Sequence, residues 1–403
     1  MIAWVHGVLV FFACLLSIPI LVLLIECVAA LFPVRKAVAE EDVSAEITAT
    51  LLIPAHNEAA VITNTLENLK PQLNERISLL VIADNCTDET AEIVRQHGLQ
   101  VVERQHATKR GKGYALDFGL RQLEAAPPDV IVMFDADCTV SENGVAQLVA
   151  QAHQQQRPVQ AVYLIEAPQD PGLNDLVSAF AFAVKNLARP LGLYNLRQPC
   201  LLTGSGMAFP WQIIRNAPLA SGNIVEDMQL GFDLAVAGAA PQLAPTVRVW
   251  SELPQQQQAA TSQRTRWEHG HLQTLLNNVP RLLKEGVRQR RFELFSLAFD
   301  LLVPPLALLV LIWGGFGAIS GLFGMISGSW FAAMIVGVAG MALVSAIGMA
   351  WVRFGRSILS LSKLLAVPLY IAWKIPLYFK FIVRRQTAWV RTERDSSHSP
   401  TLK

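Results

Sequence analysis

Val130-Ile131-Val132-Met133-Phe134-Asp135-Ala136-Asp137 is an apolar run that ends in two acids one position apart. A short, wholly apolar run closed by polar residues reads as a strand buried on both faces, the kind found in parallel sheets covered by helices. The flanking sequence repeats the form. Strands are predicted at 50–53, 77–83, 99–102, 130–134 and 159–165, and helices at 58–69, 90–96, 113–124 and 143–156 between them. This alternation predicts an α/β domain with a mostly parallel, three-layer sheet. Ligands of such sheets bind beyond the carboxyl ends of the strands.

The polar motifs fall at those ends. Pro54-Ala55-His56-Asn57-Glu58 follows the first strand, Asp84-Asn85-Cys86-Thr87-Asp88 the second and Asp135-Ala136-Asp137 the fourth. Lys109-Arg110-Gly111-Lys112-Gly113 opens a helix between them. Each alone could be helix capping. Together at one sheet edge they suggest an anionic ligand with a metal. Two carboxylates one residue apart can hold a hard divalent ion whose shell a substrate diphosphate completes. Glu226-Asp227 follows the turn Ser221-Gly222-Asn223 and opens a helical run. These acids either suit the helix dipole or supply a general base. In Gln263-Arg264-Thr265-Arg266-Trp267 the guanidinium forks suit diphosphate and the indole face suits a sugar ring. The alternative is a basic patch on a membrane surface.

Outside this domain the composition changes. Residues 1–32 carry one charge, Glu26, and residues 294–352 carry one, Asp300. The rest of the chain is about 20% charged, close to the ~25% of soluble domains. Spans are predicted at 8–32, 295–319 and 330–352. The first lacks a preceding basic stretch, so an uncleaved anchor is expected rather than a signal peptide. Arg35 and Lys36 after it, and Lys284, Arg288, Arg290 and Arg291 before the second, place the intervening domain in the cytoplasm. Uncharged 320–329 is the expected outer loop. The basic stretch 358–383 reads as interfacial or re-entrant, with a fourth span as the alternative. Leu272, Leu275, Leu276, Val279, Leu282, Leu283 and Val287 recur at helical spacing, as in an interfacial helix or one packed on the soluble domain. Asp300 is expected to face an acceptor path. The five cysteines form no C-x-x-C pair and read as reduced thiols. A net charge of +1 excludes a polycation for nucleic acid.

On Asp135-x-Asp137, Glu226-Asp227, Gln263-Arg264-x-Arg266-Trp267 and the early Asn57, Glu58, Asp84 and Lys112, the sequence resembles the membrane-embedded family 2 glycosyltransferases. Cellulose, chitin and hyaluronan synthases and the Nod-factor chitooligosaccharide synthases are relatives. The resemblance covers about residues 47–295 and implies a Rossmann-like GT-A domain flanked by transmembrane helices. Val225 stands where Thr is common, and the gating loop of cellulose synthases has no match.

The resemblance implies an inverting hexosyltransferase that moves a sugar from a UDP-type nucleotide sugar to a glycan or lipid-linked acceptor at the bacterial plasma membrane. Asp227, with Glu226, would be the catalytic base. Asn57, Glu58, Asp84, Lys112, Asp135, Gln263, Arg264 and Arg266 would bind the donor. Asp135 and Asp137 would hold Mg2+ or Mn2+, and Trp267, Gly204 and Ser205 would bind the acceptor. The expected domains are an anchor at 1–34, the transferase at 47–270, an interfacial helix at 271–293, two spans within 294–352, and a membrane segment with a basic tail at 353–403. Expected partners are the bilayer, another copy of the chain or other glycan-assembly subunits. A processive polysaccharide synthase and a catalytically dead nucleotide-sugar sensor are the alternatives.

Overall fold

The computed structural model describes residues 2–34, 46–168, 170–220, 225–252, 257–367, 370–371 and 374–375. The chain divides into two compact units. A sheet unit gathers Lys36–Asp170 and Pro199–Gly270, and a helical unit gathers Met1–Arg35, Pro171–Gln198 and His271–Arg385.

In the sheet unit the strands are β1 (Ala49–Ala55), β2 (Ile77–Asp84), β3 (Gln100–Arg104), β4 (Val130–Met133), β5 (Cys138–Val140), β6 (Val159–Glu166), β7 (Met207–Pro210) and β8 (Gln242–Glu252). Their spatial order is β3-β2-β1-β4-β7-β6-β8-β5. The half from β3 to β4 is parallel, as the apolar runs predict. Beyond β4 the sheet is mixed. β7 runs antiparallel to both β4 and β6, and β5 antiparallel to β8, while β6 and β8 are parallel. β7 is Met-Ala-Phe-Pro, buried throughout and too short to announce itself by periodicity. The helix expected from residue 58 begins at Ile62, because Asn57 turns the chain with φ +55° first. One core joins Leu52, Ile82, Ile131 and Met133 of the sheet to Leu116 and Leu120 of the Lys112–Gln122 helix and Leu230 and Leu234 of the Glu226–Val236 helix.

The helical unit revises the predicted spans. Four described helical stretches are long and apolar enough to cross a membrane: Ile2–Ala29, Leu173–Asn195, Leu306–Ser327 and Phe331–Gly355. The expected span 295–319 is broken. A helix Phe292–Leu302 stops before Pro304-Pro305, and a new one starts at Leu306, since proline lacks the N–H a helix interior needs. The expected outer loop 320–329 is mostly helical, because Leu306–Ser327 continues to a left-handed Gly328 at φ +74°. Leu173–Asn195 escapes hydropathy through Asp175, Lys185 and Arg189. Arg189 is buried. Its guanidinium donates from Nε to Glu26 Oε2 at 2.7 Å and from Nη2 to the Asp300 side chain and backbone oxygens. Asp300, expected to face an acceptor path, is buried in an ion cluster with Arg189 and Glu26. Gly192 lies so close to the first helix that a methyl group on it would stand 2.0 Å from Glu26 O. Helix Gln257–Gln289 runs on through Pro280. Of the predicted stripe only Leu282 is fully buried, and Leu276 and Val287 are exposed. Within 358–383, Leu361–Leu365 is helical; most of the remainder of that stretch, like the expected turn at 221–223, lies outside the described residues.

Candidate active site

The topology collects the polar loops. Since β1, β2 and β4 are parallel, the segments after them leave at one sheet edge. Since β7 is antiparallel to β4, with Met207 opposite Met133, the segment before β7 arrives at that same edge. Gly206 N–H donates to Met133 O at 2.9 Å, and Asp135 N–H donates to Ser205 Oγ at 3.1 Å. Ser205 is fully buried. The turn Thr203–Gly206 is thus laced to the end of β4.

Lys112 opens the Lys112–Gln122 helix after Gly111, whose φ of +118° suits glycine. Its ammonium pairs with Asp135 Oδ1 at 2.5 Å and donates to Gly204 O at 2.6 Å. A methyl group built on Gly204 would lie 3.2 Å from Asp227 Oδ2, 3.6 Å from Lys112 Nζ and 3.9 Å from Asp135 Oδ2. Gly204 has φ +97°, so its backbone conformation and its crowding both require glycine. Asp227 reaches this point from the first turn of Glu226–Val236, where the helix dipole favours an anion. That helix is seated by buried Met228, Leu230 and Leu234.

The charges interact. Burial raises the Asp135 carboxyl, Lys112 pulls it down, and Asp137 and Asp227 push it up, leaving it above the usual range. Burial would lower the Lys112 ammonium, but Asp135 and Glu226 outweigh burial and raise it. Burial and the neighbouring Asp227 push Glu226 up to about 7 despite Lys112.

Asp137 and Cys138 continue the cluster. One ligand atom from each of Asp135, Asp137 and Cys138 lies within 4.8 Å of the other two. The two carboxylates offer the hard oxygen donors that Mg2+ and Mn2+ take. The Cys138 thiol is a poorer partner: burial and the adjacent acids push it well above its usual range, so it stays S–H.

Asn57, Glu58 and Asp84 form a second knot at the ends of β1 and β2. Asn57 Oδ1 accepts from Thr87 N–H at 2.7 Å, and Glu58 N–H donates to Thr90 Oγ1 at 2.9 Å. Asp84 is buried and pairs with Arg104 at 2.5 Å. The Arg104 guanidinium lies 5.9 Å from the Tyr114 ring centroid. Gln263, Arg264, Arg266 and Trp267 form a third set on Gln257–Gln289, the first two buried and the last two half-buried. Gln263, Arg266 and Trp267 share a helix face at i, i+3, i+4 spacing.

The structure therefore brings Lys112, Asp135, Gly204 and Ser205 together by direct contact, with the Asp227 carboxylate facing the space beside Gly204. Sequence reasoning missed Arg104, the partner of Asp84, and Gln160, whose side chain accepts from Thr203 N–H at 2.8 Å. An Arg at a strand end was a usable signal, whereas a lone Gln at a strand start was none.

A family model described as "Glycosyltransferase like family 2" matches residues 48–270. The "Probable glycosyltransferase YdaM" of Bacillus subtilis is 24% identical over 264 residues, 62% of this chain and 61% of that protein. The "Poly-beta-1,6-N-acetyl-D-glucosamine synthase" of Staphylococcus aureus is 22% identical over 273 residues, 63% of this chain and 61% of that protein. The chain thus spans about 61% of the length of these two relatives. The solved "Mannosyltransferase PcManGT from Pyrobaculum calidifontis in complex with GDP-Man and Mn2+" superposes with a TM-score of 0.56 at 19% identity, covering 91% of this chain and 99% of that one. That likeness establishes a GT-A fold.

Proposed function

We propose that this chain, which belongs to glycosyltransferase-like family 2, transfers a sugar from a UDP-type nucleotide sugar to a hydroxyl of a membrane-bound or lipid-linked glycan. The observation that carries the reading is the meeting of Asp227, Lys112 and Asp135 around Gly204. A base, a cation and a carboxylate within one small space suit attack by a hydroxyl on a carbon that leaves a diphosphate.

Asp227 takes the proton of the acceptor hydroxyl as its oxygen bonds to the sugar carbon, and the bond from that carbon to the diphosphate breaks on the opposite face. One displacement inverts the centre. Asp227 rather than Glu226 is assigned as the base because its Oδ2 is the carboxylate oxygen that lies at Gly204 beside Lys112 and Asp135. Asp135 and Asp137 would hold Mg2+ or Mn2+, and such an ion would supply positive charge to neutralise the diphosphate. Gln263, Arg264 and Arg266 steady that charge as it grows. Asn57, Glu58 and Asp84 hold the nucleoside, while Trp267, Gly204 and Ser205 seat the acceptor. Residues 47–270 form the transferase, and the helical unit anchors it as a multi-pass protein with the sheet unit in the cytoplasm.

The name of the Staphylococcus aureus relative favours a second reading, a processive synthase of the same chemistry. Incubating the purified chain with labelled UDP-, GDP- and dTDP-sugars and membrane extract tests both. Single additions support the first reading, and long products the second. Asp227→Asn is expected to lower turnover by about 10²–10⁴-fold with donor binding retained. Wild-type turnover in that variant overturns the assignment of the base.

A further inference from the structure

The Gly204 turn has an unusual demand. Gly204 and Gly206 both have positive φ, +97° and +69°, so peptide groups there cannot all join the regular ladder. Buried peptide groups need partners. Gln160 supplies them. It lies at the start of β6, opposite Met207 of β7, and is 2% exposed.

Its amide makes three hydrogen bonds. Oε1 accepts from Thr203 N–H at 2.8 Å. Nε2 donates to Ser205 O at 2.9 Å and to Ala161 O at 2.8 Å. The residues held, Thr203 and Ser205, flank Gly204 on both sides. A primary amide is the neutral side chain that offers one acceptor and two donors at once. The strand carrying it is itself irregular: between Ala161 and Val162 the register with β8 jumps from Ala244 to Arg248. Gly206 is wedged beside that jump, since a methyl group on it would stand 2.7 Å from Val249 Cγ2 and 2.8 Å from Ala161 Cβ. The turn is therefore fixed from below by one side chain that touches none of Lys112, Asp135 or Asp227 in the contacts described.

We propose that Gln160 is a positioning residue of the transfer. Its amide holds Gly204 so that the Gly204 carbonyl meets the Lys112 ammonium while Asp227 and Asp135 close on the same point. The proposal rests on the reading of that cluster as the transfer site. Displacing reacting groups by about 1 Å can cost on the order of 10²-fold in rate. The other bonds of the turn, from Gly206 N–H to Met133 O, from Ala161 N–H to Gly206 O and from Asp135 N–H to Ser205 Oγ, leave the Thr203 N–H and the Ser205 carbonyl to Gln160.

The test compares wild type, Asp227→Asn, Gln160→Met and Gln160→Glu, each as the purified full chain. Gln160→Met keeps the length and loses every bond. Gln160→Glu keeps the acceptor for Thr203 N–H and guards against a Met variant that fails to fold. Hydrogen–deuterium exchange over 201–207 reads the turn without substrate, and turnover on labelled UDP-sugars with membrane extract reads the consequence. Gln160→Met is expected to expose the Thr203 amide to exchange and to lower kcat by about tenfold or more, with donor KM within about threefold. Gln160→Glu is expected to protect Thr203 and to fall between the two in kcat. Wild-type kcat in both variants, with Asp227→Asn inactive, overturns the proposal. Unchanged exchange over 201–207 in Gln160→Met overturns it too. No turnover in the wild type across UDP-, GDP- and dTDP-sugars removes the transfer-site reading and the proposal with it, an outcome distinct from the other two.

Discussion

Glu226 stands one residue before the proposed base, and its surroundings make its proton measurable. Burial and the Asp227 charge raise its pKa from an ordinary 4.5 to about 7. The folded chain therefore holds a proton between pH 4.5 and 7 that the unfolded chain releases. The stability linked to that proton is complete below pH 4.5 and is lost as the pH rises through 7. A glutamine at this position has no such proton to lose. Glu226→Gln is expected to melt at a temperature that rises relative to wild type between pH 5 and pH 8, measured without donor or metal. A melting difference that is flat across those pH values would show that Glu226 titrates normally. At this scale the sequence was informative where a residue type is scarce at its position. Asp135-Ala136-Asp137 after an apolar strand drew attention, and Asp135 indeed meets Lys112. Gln160 did not, because its role comes from pairing with a turn forty-odd residues later, which no local pattern encodes.

Among elements, the parallel strands β1, β2 and β4 were legible because burial on both faces makes them almost continuously apolar. β7 and β5 were not, being four and three residues long and recruited by pairing rather than by propensity. The helices of the helical unit show the same division. Phe331–Ala350 was legible as a long apolar helix, whereas the span expected at 295–319 ran across the break before Leu306 and stopped short of Ser327; Pro305, Gly328 and a π turn at Trp351–Gly355 set the ends of these two helices. Their contact is specific. The Trp313 indole N–H donates to Val336 O at 2.9 Å, and a methyl group on Gly340 would stand 2.4 Å from the Trp313 ring. Gly340 is thus the hollow that admits Trp313, the small-residue packing expected between helices in lipid. Gly340→Leu is expected to force the pair apart, with a lower melting temperature in detergent, while Gly337→Leu, where nothing lies within 4 Å, leaves it unchanged. Equal melting of the two variants would dismiss the hollow.

Across the whole molecule, the buried cluster of Glu26, Arg189 and Asp300 joins segments that are remote in the chain. Removing one partner of a buried pair typically costs about 3–5 kcal/mol, whereas replacing all partners by well-packed apolar groups of similar volume is often close to free. Arg189→Met is expected to destabilise the helical unit by about that amount. The triple variant Glu26→Met, Arg189→Met, Asp300→Leu is expected to recover most of the loss, as judged by thermal melting and size-exclusion profile. A triple variant no better than the single one would mean that the charges, and not their balance, are needed. The cluster also sets a clock for synthesis. Glu26 leaves the ribosome 163 residues before Arg189 and Arg189 111 residues before Asp300. At about 5–20 residues per second, the acid waits roughly 8–33 s for its guanidinium and a further 6–22 s for the second carboxylate. In the proposed topology the first helix enters the bilayer during that interval, so whatever shields Glu26 at the insertion machinery must hold for tens of seconds before the chain can supply its own partner.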